Sequence, residues 1–377
     1  MNICLLSDGK SIHTMRWVKS LLEHNHNVSL ISLNESLYTQ KNISFHKISF
    51  GFGKLDYILS VPFVNKIIKQ VNPDLIHVHY LTGYGSIAAN ITIDRPIILS
   101  PWGSDVFVTL RGKGLYSKIL RNLIRPALTK ASFITTETKS MADILKKEFQ
   151  VNEDKLKVIP WGIDLSIFNP ISREEKSDLK RKLGIPENSL IVTSIRNMKE
   201  FYRIHEIVKA FSKVLKLNKD IFLILITGYY DLVYLEEIKK LVFDLNLSNN
   251  ILIIEELLNS QNFANLLCIS DIIISIPISD SLPISVIEGM ACGAIPIVSI
   301  SYGTKELVED SKFKLILTIA NVEDLAQKLK DVICNFENIK NEFVTWNFDL
   351  IKKNYSWEIS YLKMEELYKL SIKEFRP

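Results

Sequence analysis

Ser279-Asp280-Ser281-Leu282-Pro283-Ile284-Ser285-Val286-Ile287-Glu288-Gly289-Met290-Ala291-Cys292-Gly293-Ala294-Ile295-Pro296 is the stretch on which the reading of this chain turns. An apolar run, Ile272–Ile276, leads into it, and a second, Ile295–Ser299, leaves it. Asp280 sits in a loop and a helix begins near Pro283. Strand, loop, helix and strand in that order are the repeating unit of a parallel sheet covered by helices. The helix start offers unpaired N–H groups and a partial charge of about +0.5 e, suited to a phosphate. Glu288, one turn in, presents two carboxylate oxygens, which match a pair of vicinal hydroxyls. Taken one at a time, each acid also reads as part of a capped, solvated helix.

Outward from this segment the alternation continues in both directions. Upstream, Asn2–Ser7, Val28–Leu33, Leu75–His79, Ile97–Ser100, Phe133–Thr136 and Lys157–Pro160 read as strands, with helices at Ile12–Glu23 and Tyr57–Val71. After a less regular stretch from Trp161 to Pro186, the pattern restarts with strands at Leu190–Ile195, Phe222–Thr227 and Ile251–Ile254. Helices at 204–217, 235–245 and 263–267 separate them, and the chain ends in helices at 322–335, 339–353 and 357–372. The strands lack strict alternation, as expected for sheets buried on both faces. Two doubly wound α/β units follow, each with its ligand edge at the carboxyl ends of its strands. The 377 residues suit two domains.

Composition narrows the classes. Hydrophobic residues make up 47% and charged residues 23%, a globular balance that excludes a disordered chain. No apolar run approaches the ~20 residues of a membrane span. Met1–Ser7 lacks a basic region ahead of it and so does not read as a signal peptide. Cys4, Cys268, Cys292 and Cys334 show no C-x-x-C spacing and read as reduced thiols of a cytoplasmic protein. The net charge of +4 is uneven: residues 1–165 hold 20 Lys and Arg against 13 Asp and Glu, so the front half is the side suited to an anionic partner. No G-x-G-x-x-G, no Walker A pattern and no Asp-x-Asp occurs, which argues against hydride transfer, P-loop chemistry and a metal-held diphosphate.

The 279–296 segment resembles the E-x7-E donor signature of the retaining family-4 glycosyltransferases, with Asp280 in place of the first Glu. Further fragments are similar to that family's, in its order. They are Asp8-Gly9 with Ser11-Ile12-His13 near the start, Pro73-Asp74-Leu75-Ile76-His77-Val78-His79, Pro101-Trp102-Gly103-Ser104-Asp105, Val158-Ile159-Pro160-Trp161-Gly162-Ile163-Asp164, and Tyr355-Ser356-Trp357. The resemblance spans nearly the whole chain and implies a GT-B fold, two Rossmann-like domains facing across a cleft. On that basis residues 1–165, with a crossover helix at about 356–377, bind the acceptor; 166–187 form a linker; and 188–355 bind the donor.

What the resemblance implies for function is a retaining, metal-independent transfer of a sugar from a UDP- or GDP-sugar to a glycan or lipid-linked acceptor. No cofactor is called for. Arg196, Asp280 and Asp105 are placed at the reacting centre; Gly9, Arg196, Lys199, Arg203, Gly228, Asp280, Ile284, Ser285, Val286 and Glu288 at the donor; His13, His79 and Trp102 at the acceptor. The family usually follows its Arg with a Lys on the donor diphosphate, and that position here is Phe201; Lys199 or Arg203 would supply the second cation. Rival readings are a UDP-sugar epimerase or phosphorylase on the same fold and a weakened transferase serving as a partner subunit.

Three features carry more than one reading at the level of sequence. His77 and His79 share one face of a strand, which suits a metal pair but has no third ligand in view, so packed histidines are the better reading. His13 contacts substrate or simply occupies a first helical turn. Residues 111–130 contain Arg111, Lys113, Lys118, Arg121, Arg125 and Lys130, no acid, and an apolar stripe of Tyr116, Ile119, Leu120, Leu123 and Ile124. They are either a core helix with a solvated basic face or a surface that settles on the inner leaflet of a membrane. Nothing interleaves basic and aromatic residues as nucleic-acid binding requires.

Overall fold

The computed structural model describes residues 1–37, 43–112, 114–217 and 219–375. The chain divides into two compact units, Met1–Pro160 with Tyr361–Pro377, and Trp161–Ser360. Residues 166–187 fall inside the second of these.

The first unit carries β1 (Asn2–Leu6), α1 (Ile12–Glu23), β2 (Asn27–Ser32), β3 (Ile43–Lys47), α2 (Asp56–Leu59), α3 (Val61–Val71), β4 (Leu75–His79), α4 (Tyr84–Ala88), β5 (Ile97–Ser100), α5 (Leu115–Lys130), β6 (Phe133–Thr136), α6 (Lys139–Phe149) and β7 (Leu156–Val158). Its seven strands are all parallel in the order β3-β2-β1-β4-β5-β6-β7. All five residues of β4 are buried, which is why that strand reads as continuous apolar sequence broken only by its two histidines. The helix expected over 57–71 is interrupted at Ser60, and Pro62, which has no N–H to give, falls in the first turn of α3. β3 was not expected: it is the edge strand, only partly buried, and carries little apolar signal.

The second unit carries α7 (Arg173–Lys182), β8 (Leu190–Ser194), α8 (Ile204–Leu215), β9 (Ile221–Ile226), α9 (Leu232–Asp244), β10 (Ile251–Ile254), α10 (Ser260–Ile269), β11 (Ile272–Ser275), α11 (Ile284–Ala291), β12 (Ile295–Ser299), α12 (Tyr302–Glu309), β13 (Ile316–Thr318), α13 (Val322–Cys334) and α14 (Phe336–Asn354). Its six parallel strands run β10-β9-β8-β11-β12-β13. Leu179, Leu183 and Ile185 of the α7 region join a cluster with Ile191 and Ile224 of this sheet. The last helix, α15 (Trp357–Glu374), joins the first unit from Tyr361 on, where Tyr361 and Tyr368 are fully buried. Both units are Rossmann-like: in each, strand order reverses beside the first strand, between β1 and β4 and between β8 and β11. Such a reversal opens a crevice at the carboxyl ends of the two strands.

Candidate functional site

In the second unit the expected donor residues converge on the β8/β11 reversal. Arg196 follows β8, and the loop after β11 carries Asp280. One terminal nitrogen of Arg196 donates to Asp280 Oδ2 at 2.5 Å and the other to Ser285 Oγ at 2.9 Å. The guanidinium lies over the Tyr202 ring, 5.0 Å from its centroid. Arg196 Nε, buried, has no hydrogen-bond partner among the described residues. The cation is therefore aimed from three sides while one donor stays unmet. Tyr202 escaped the sequence reading, because only the fold turns it under a guanidinium six positions back.

The loops around this cation are tied to one another. Phe201 O accepts from Ile278 N–H at 3.0 Å, joining the turn after β8 to the loop after β11. Asn197 Oδ1 accepts from Tyr229 N–H at 3.2 Å, and Gly228 beside it has φ +54; a Cβ there would meet Asn197 Oδ1 at 2.1 Å. Gly228 is thus required by the loop's own packing. Lys199 is exposed, and Arg203 caps α8 in the left-handed region with φ 54. Neither shows a contact with Asp280 or Ser285.

At the start of α11 the N–H groups of Ile284 and Val286 are already used, donating to Leu282 O and Pro283 O at 2.9 Å each. The Ser285 hydroxyl, not a row of bare N–H groups, is what this helix start presents to Arg196. Glu288 is only 5% exposed, which sets aside a solvated carboxylate on a plain capped helix. Gly289 lets α11 lie against β11, since a Cβ there would be 2.4 Å from Ile273 Cδ1. Gly303 of α12 abuts the Ser281 carbonyl so closely that a Cβ would be 1.3 Å from its oxygen.

In the first unit His13, His79 and Trp102 come together at the β1/β4 reversal. The Trp102 ring lies 5.6 Å from His13 and 5.5 Å from His79. His79 Nδ1 meets Ser7 Oγ at 2.9 Å, and Ser7 Oγ meets Thr14 Oγ1 at 2.7 Å. His77 Nε2 meets Ser100 Oγ at 2.7 Å, and its Nδ1 meets the Tyr368 hydroxyl at 2.8 Å. Burial lowers the pKa of His77 to about 3, that of His13, with help from Arg16, to about 4, and that of His79 well below the usual value. All three rings are neutral at physiological pH. Among the described residues no group of three His, Cys, Asp or Glu is placed to hold a metal ion.

Asp105 is fully buried and accepts from the N–H groups of Leu81 (2.6 Å), Trp102 (3.1 Å) and Val106 (3.0 Å). Burial raises its pKa to about 6 against the opposing pull of those bonds. This carboxylate fastens the Trp102 loop to the turn after β4. Gly9 donates its N–H to Ser32 Oγ at 2.9 Å, and a Cβ on it would be 2.6 Å from Glu35 O. Close backbone approach accounts for this glycine.

The basic stretch divides. Arg111 pairs with Glu148 at 3.0 Å, Arg121 donates to Leu110 O at 2.5 Å, and Lys130 donates to Ala89 O and Ile91 O. Lys113 lies outside the described residues. Lys118 and Arg125 are exposed. The single apolar stripe expected there also splits: Leu120 and Ile124 are buried, whereas Tyr116, Ile119 and Leu123 are 51, 49 and 41% exposed. No helix of the described residues is long and apolar enough to cross a membrane.

Comparison with known proteins matches two family models, glycosyl transferase 4-like over residues 2–138 and glycosyl transferases group 1 over residues 175–341. N-acetyl-alpha-D-glucosaminyl L-malate synthase of Bacillus anthracis is 24% identical over 330 residues, 83% of this chain and 82% of that one. UDP-Gal:alpha-D-GlcNAc-diphosphoundecaprenol alpha-1,3-galactosyltransferase of Escherichia coli is 26% identical over 305 residues, covering 76% and 75%. Anabaena HepE, solved in complex with UDP, superposes with a TM-score of 0.82 at 16% identity, covering 98% and 100% of the two chains.

Proposed function

We propose that this chain, which belongs to the family-4 type of GT-B glycosyltransferases, moves a hexosyl or N-acetylhexosaminyl group from a UDP- or GDP-sugar to a glycan or lipid-linked acceptor with retention of configuration and without a metal. The observation that carries the reading is the Arg196 cluster: a guanidinium held by Asp280, Ser285 and Tyr202 at the reversal of the second sheet. Charge grows on the departing diphosphate as the sugar leaves, and a preorganised cation meets it without reorganising. Ser285 and the start of α11 sit beside that cation, and Glu288, one turn further, takes the ribose hydroxyls. Lys199 or Arg203 adds the second positive charge. The leaving phosphate oxygen takes the acceptor proton, so no separate protein base is needed. UDP in the Anabaena structure and UDP-Gal in the name of the Escherichia coli relative support a uridine donor.

In the first unit His13, His79 and Trp102 bind the acceptor, with Asp105 holding the Trp102 loop in place. The undecaprenol-linked acceptor named for the Escherichia coli relative supports a lipid-linked acceptor. The enzyme works in the cytoplasm, held peripherally on the inner membrane face through residues 111–130.

The test is thermal stabilisation by UDP, GDP and ADP, followed by release of free nucleotide in the presence and absence of EDTA. A ligand at about 100 times its Kd stabilises by ~2.7 kcal/mol. No shift with any of the three rejects the donor site, and a full loss in EDTA restored by Mn²⁺ rejects the metal-free reaction. A second reading, a weakened partner subunit, is favoured by Phe201 at the position of the family's Lys. A chain that binds UDP but turns over no donor with any acceptor would establish it.

A further inference from the structure

Phe50 and Phe52 stand on a loop that is built to hold them outward. The Asp56 carboxylate accepts from Ser49 Oγ (3.0 Å) and from the N–H groups of Phe50 (3.0 Å), Gly51 (3.2 Å) and Phe52 (3.1 Å). Gly51 and Gly53 take φ +83 and +60, a left-handed conformation that side chains resist, so the turn is tight by composition as well as by bonding. Phe52 is nonetheless 64% exposed and Phe50 40%, and the Phe50 ring lies 5.2 Å from that of Phe63, itself half exposed. A carboxylate spent on fixing a loop whose aromatic side chains face water needs another reason than packing.

The loop is continuous with the outer face of α5. Lys54 Nζ meets the Tyr116 hydroxyl at 3.2 Å and lies over its ring at 4.7 Å. Tyr116, Ile119 and Leu123 then extend the apolar surface along the helix, at the spacing of one helical face. Exposed apolar patches of this kind mark interaction sites. The surrounding charge is of one sign. Across residues 43–71 and 95–130 the only acids are Asp56 and Asp105, both buried and both bonded to backbone N–H groups, while Lys118 and Arg125 are exposed on α5. A second copy of the same surface would set cation against cation with no carboxylate between them. An anionic, apolar-cored partner fits both features.

We propose that the 50–63 segment and the outer face of α5 form one docking surface for an anionic lipid bilayer, with Phe50 and Phe52 entering the boundary between headgroups and acyl chains. This rests on the peripheral attachment proposed above and departs from it in mechanism. Three of the six cations of 111–130 are engaged within the protein, so insertion of aromatic side chains carries the hold and the exposed Lys118 and Arg125 orient it.

The experiment is vesicle flotation of the full chain with phosphatidylglycerol-containing and pure phosphatidylcholine vesicles, at low and high salt. Wild type is compared with Phe50→Ser/Phe52→Ser and Lys118→Glu/Arg125→Glu; all four positions are exposed, and equal melting temperatures verify folding. Wild type is expected to float with the anionic vesicles and to retain binding at high salt. The double Phe variant is expected to lose about tenfold in bound fraction, and the charge variant to weaken chiefly at low salt. If wild type floats and the Phe variant floats equally while the charge variant does not, attachment is real but electrostatic, and the aromatic mechanism is wrong. If wild type does not float, both readings fail. If the chain dimerises without lipid and the Phe substitutions abolish that, the surface is an interface between copies and the bilayer assignment is overturned.

Discussion

The Tyr368 hydroxyl, on the last helix of the chain, lies 2.8 Å from Nδ1 of His77 on β4, 291 positions earlier. His77 Nε2 is occupied by Ser100, whose Oγ is in turn 2.5 Å from Thr135 Oγ1. The C-terminal helix is therefore fastened to the first sheet by a buried polar chain, while Tyr361 stacks on His24 at the end of α1, ring centroids 4.0 Å apart. The second link, His26 Nε2 to Glu365 Oε1 at 3.0 Å, lies nearer the surface.

Tyr368→Phe keeps the ring and removes the hydroxyl. It leaves a ring nitrogen of His77 buried with no partner, at a cost of about 1–3 kcal/mol. Urea unfolding should show a lower midpoint with an unchanged slope; an unchanged midpoint would mean that the bond contributes nothing net.

Stability should fall as the pH drops below about 6.5. His77, His13 and His79 have folded pKa values below the unfolded value, so the stability they contribute is present above 6.5 and is lost as the pH falls toward about 4 and about 3. Asp105, raised to about 6, acts oppositely: the native state gains a proton there below that pH. Three histidines outweigh one carboxyl, and each uncompensated proton weighs about 1.4 kcal/mol per pH unit. Urea midpoints measured from neutral pH to about pH 5 test the sign, and a flat or rising profile would contradict it.

Arg196→Ala should lower kcat more than it raises the donor KM, because the diphosphate charge it meets grows toward the transition state. Arg196→Lys should not rescue it. A lysine cannot bond Asp280 and Ser285 together while stacking on Tyr202. An effect confined to KM would remove Arg196 from the reacting centre.

Glu288→Gln should weaken nucleotide binding by about 1.5–3 kcal/mol, since the amide offers one acceptor where the carboxylate offers two. Titration calorimetry with UDP measures it directly. Equal affinity would free Glu288 from a ribose contact.

Gly303→Ala acts from a distance. The added Cβ would fall 1.3 Å from the Ser281 oxygen, next to Asp280, so the loop must move. The expected result is a loss of about 1–3 kcal/mol in stability together with weaker nucleotide binding. Wild-type binding in a destabilised variant would show that the loop's position does not matter to the site.

The amino-acid order alone was enough for the strand–helix alternation, for α1 at Ile12–Glu23 and β4 at Leu75–His79, and for gathering Arg196, Asp280 and Glu288 into one prospective site. Burial of parallel strands on both faces writes itself into local composition, and a helix start after a strand is a local event. Tertiary structure decided what depends on neighbours remote in sequence. The strand orders that put Arg196 beside Asp280, the turn of Tyr202 under the guanidinium and the Tyr368–His77 bond are contacts between separate elements. The edge strands β3 and β13 were missed: β3 alternates polar residues with half-buried ones and β13 is only three residues long, whereas the edge strand β10 carries an apolar run, Ile251–Ile254, that shows in the sequence. The apolar positions of α5 looked alike along the chain, and only the side on which α4 and the 105–110 turn pack against the helix sends Leu120 and Ile124 inward and leaves Tyr116, Ile119 and Leu123 facing water.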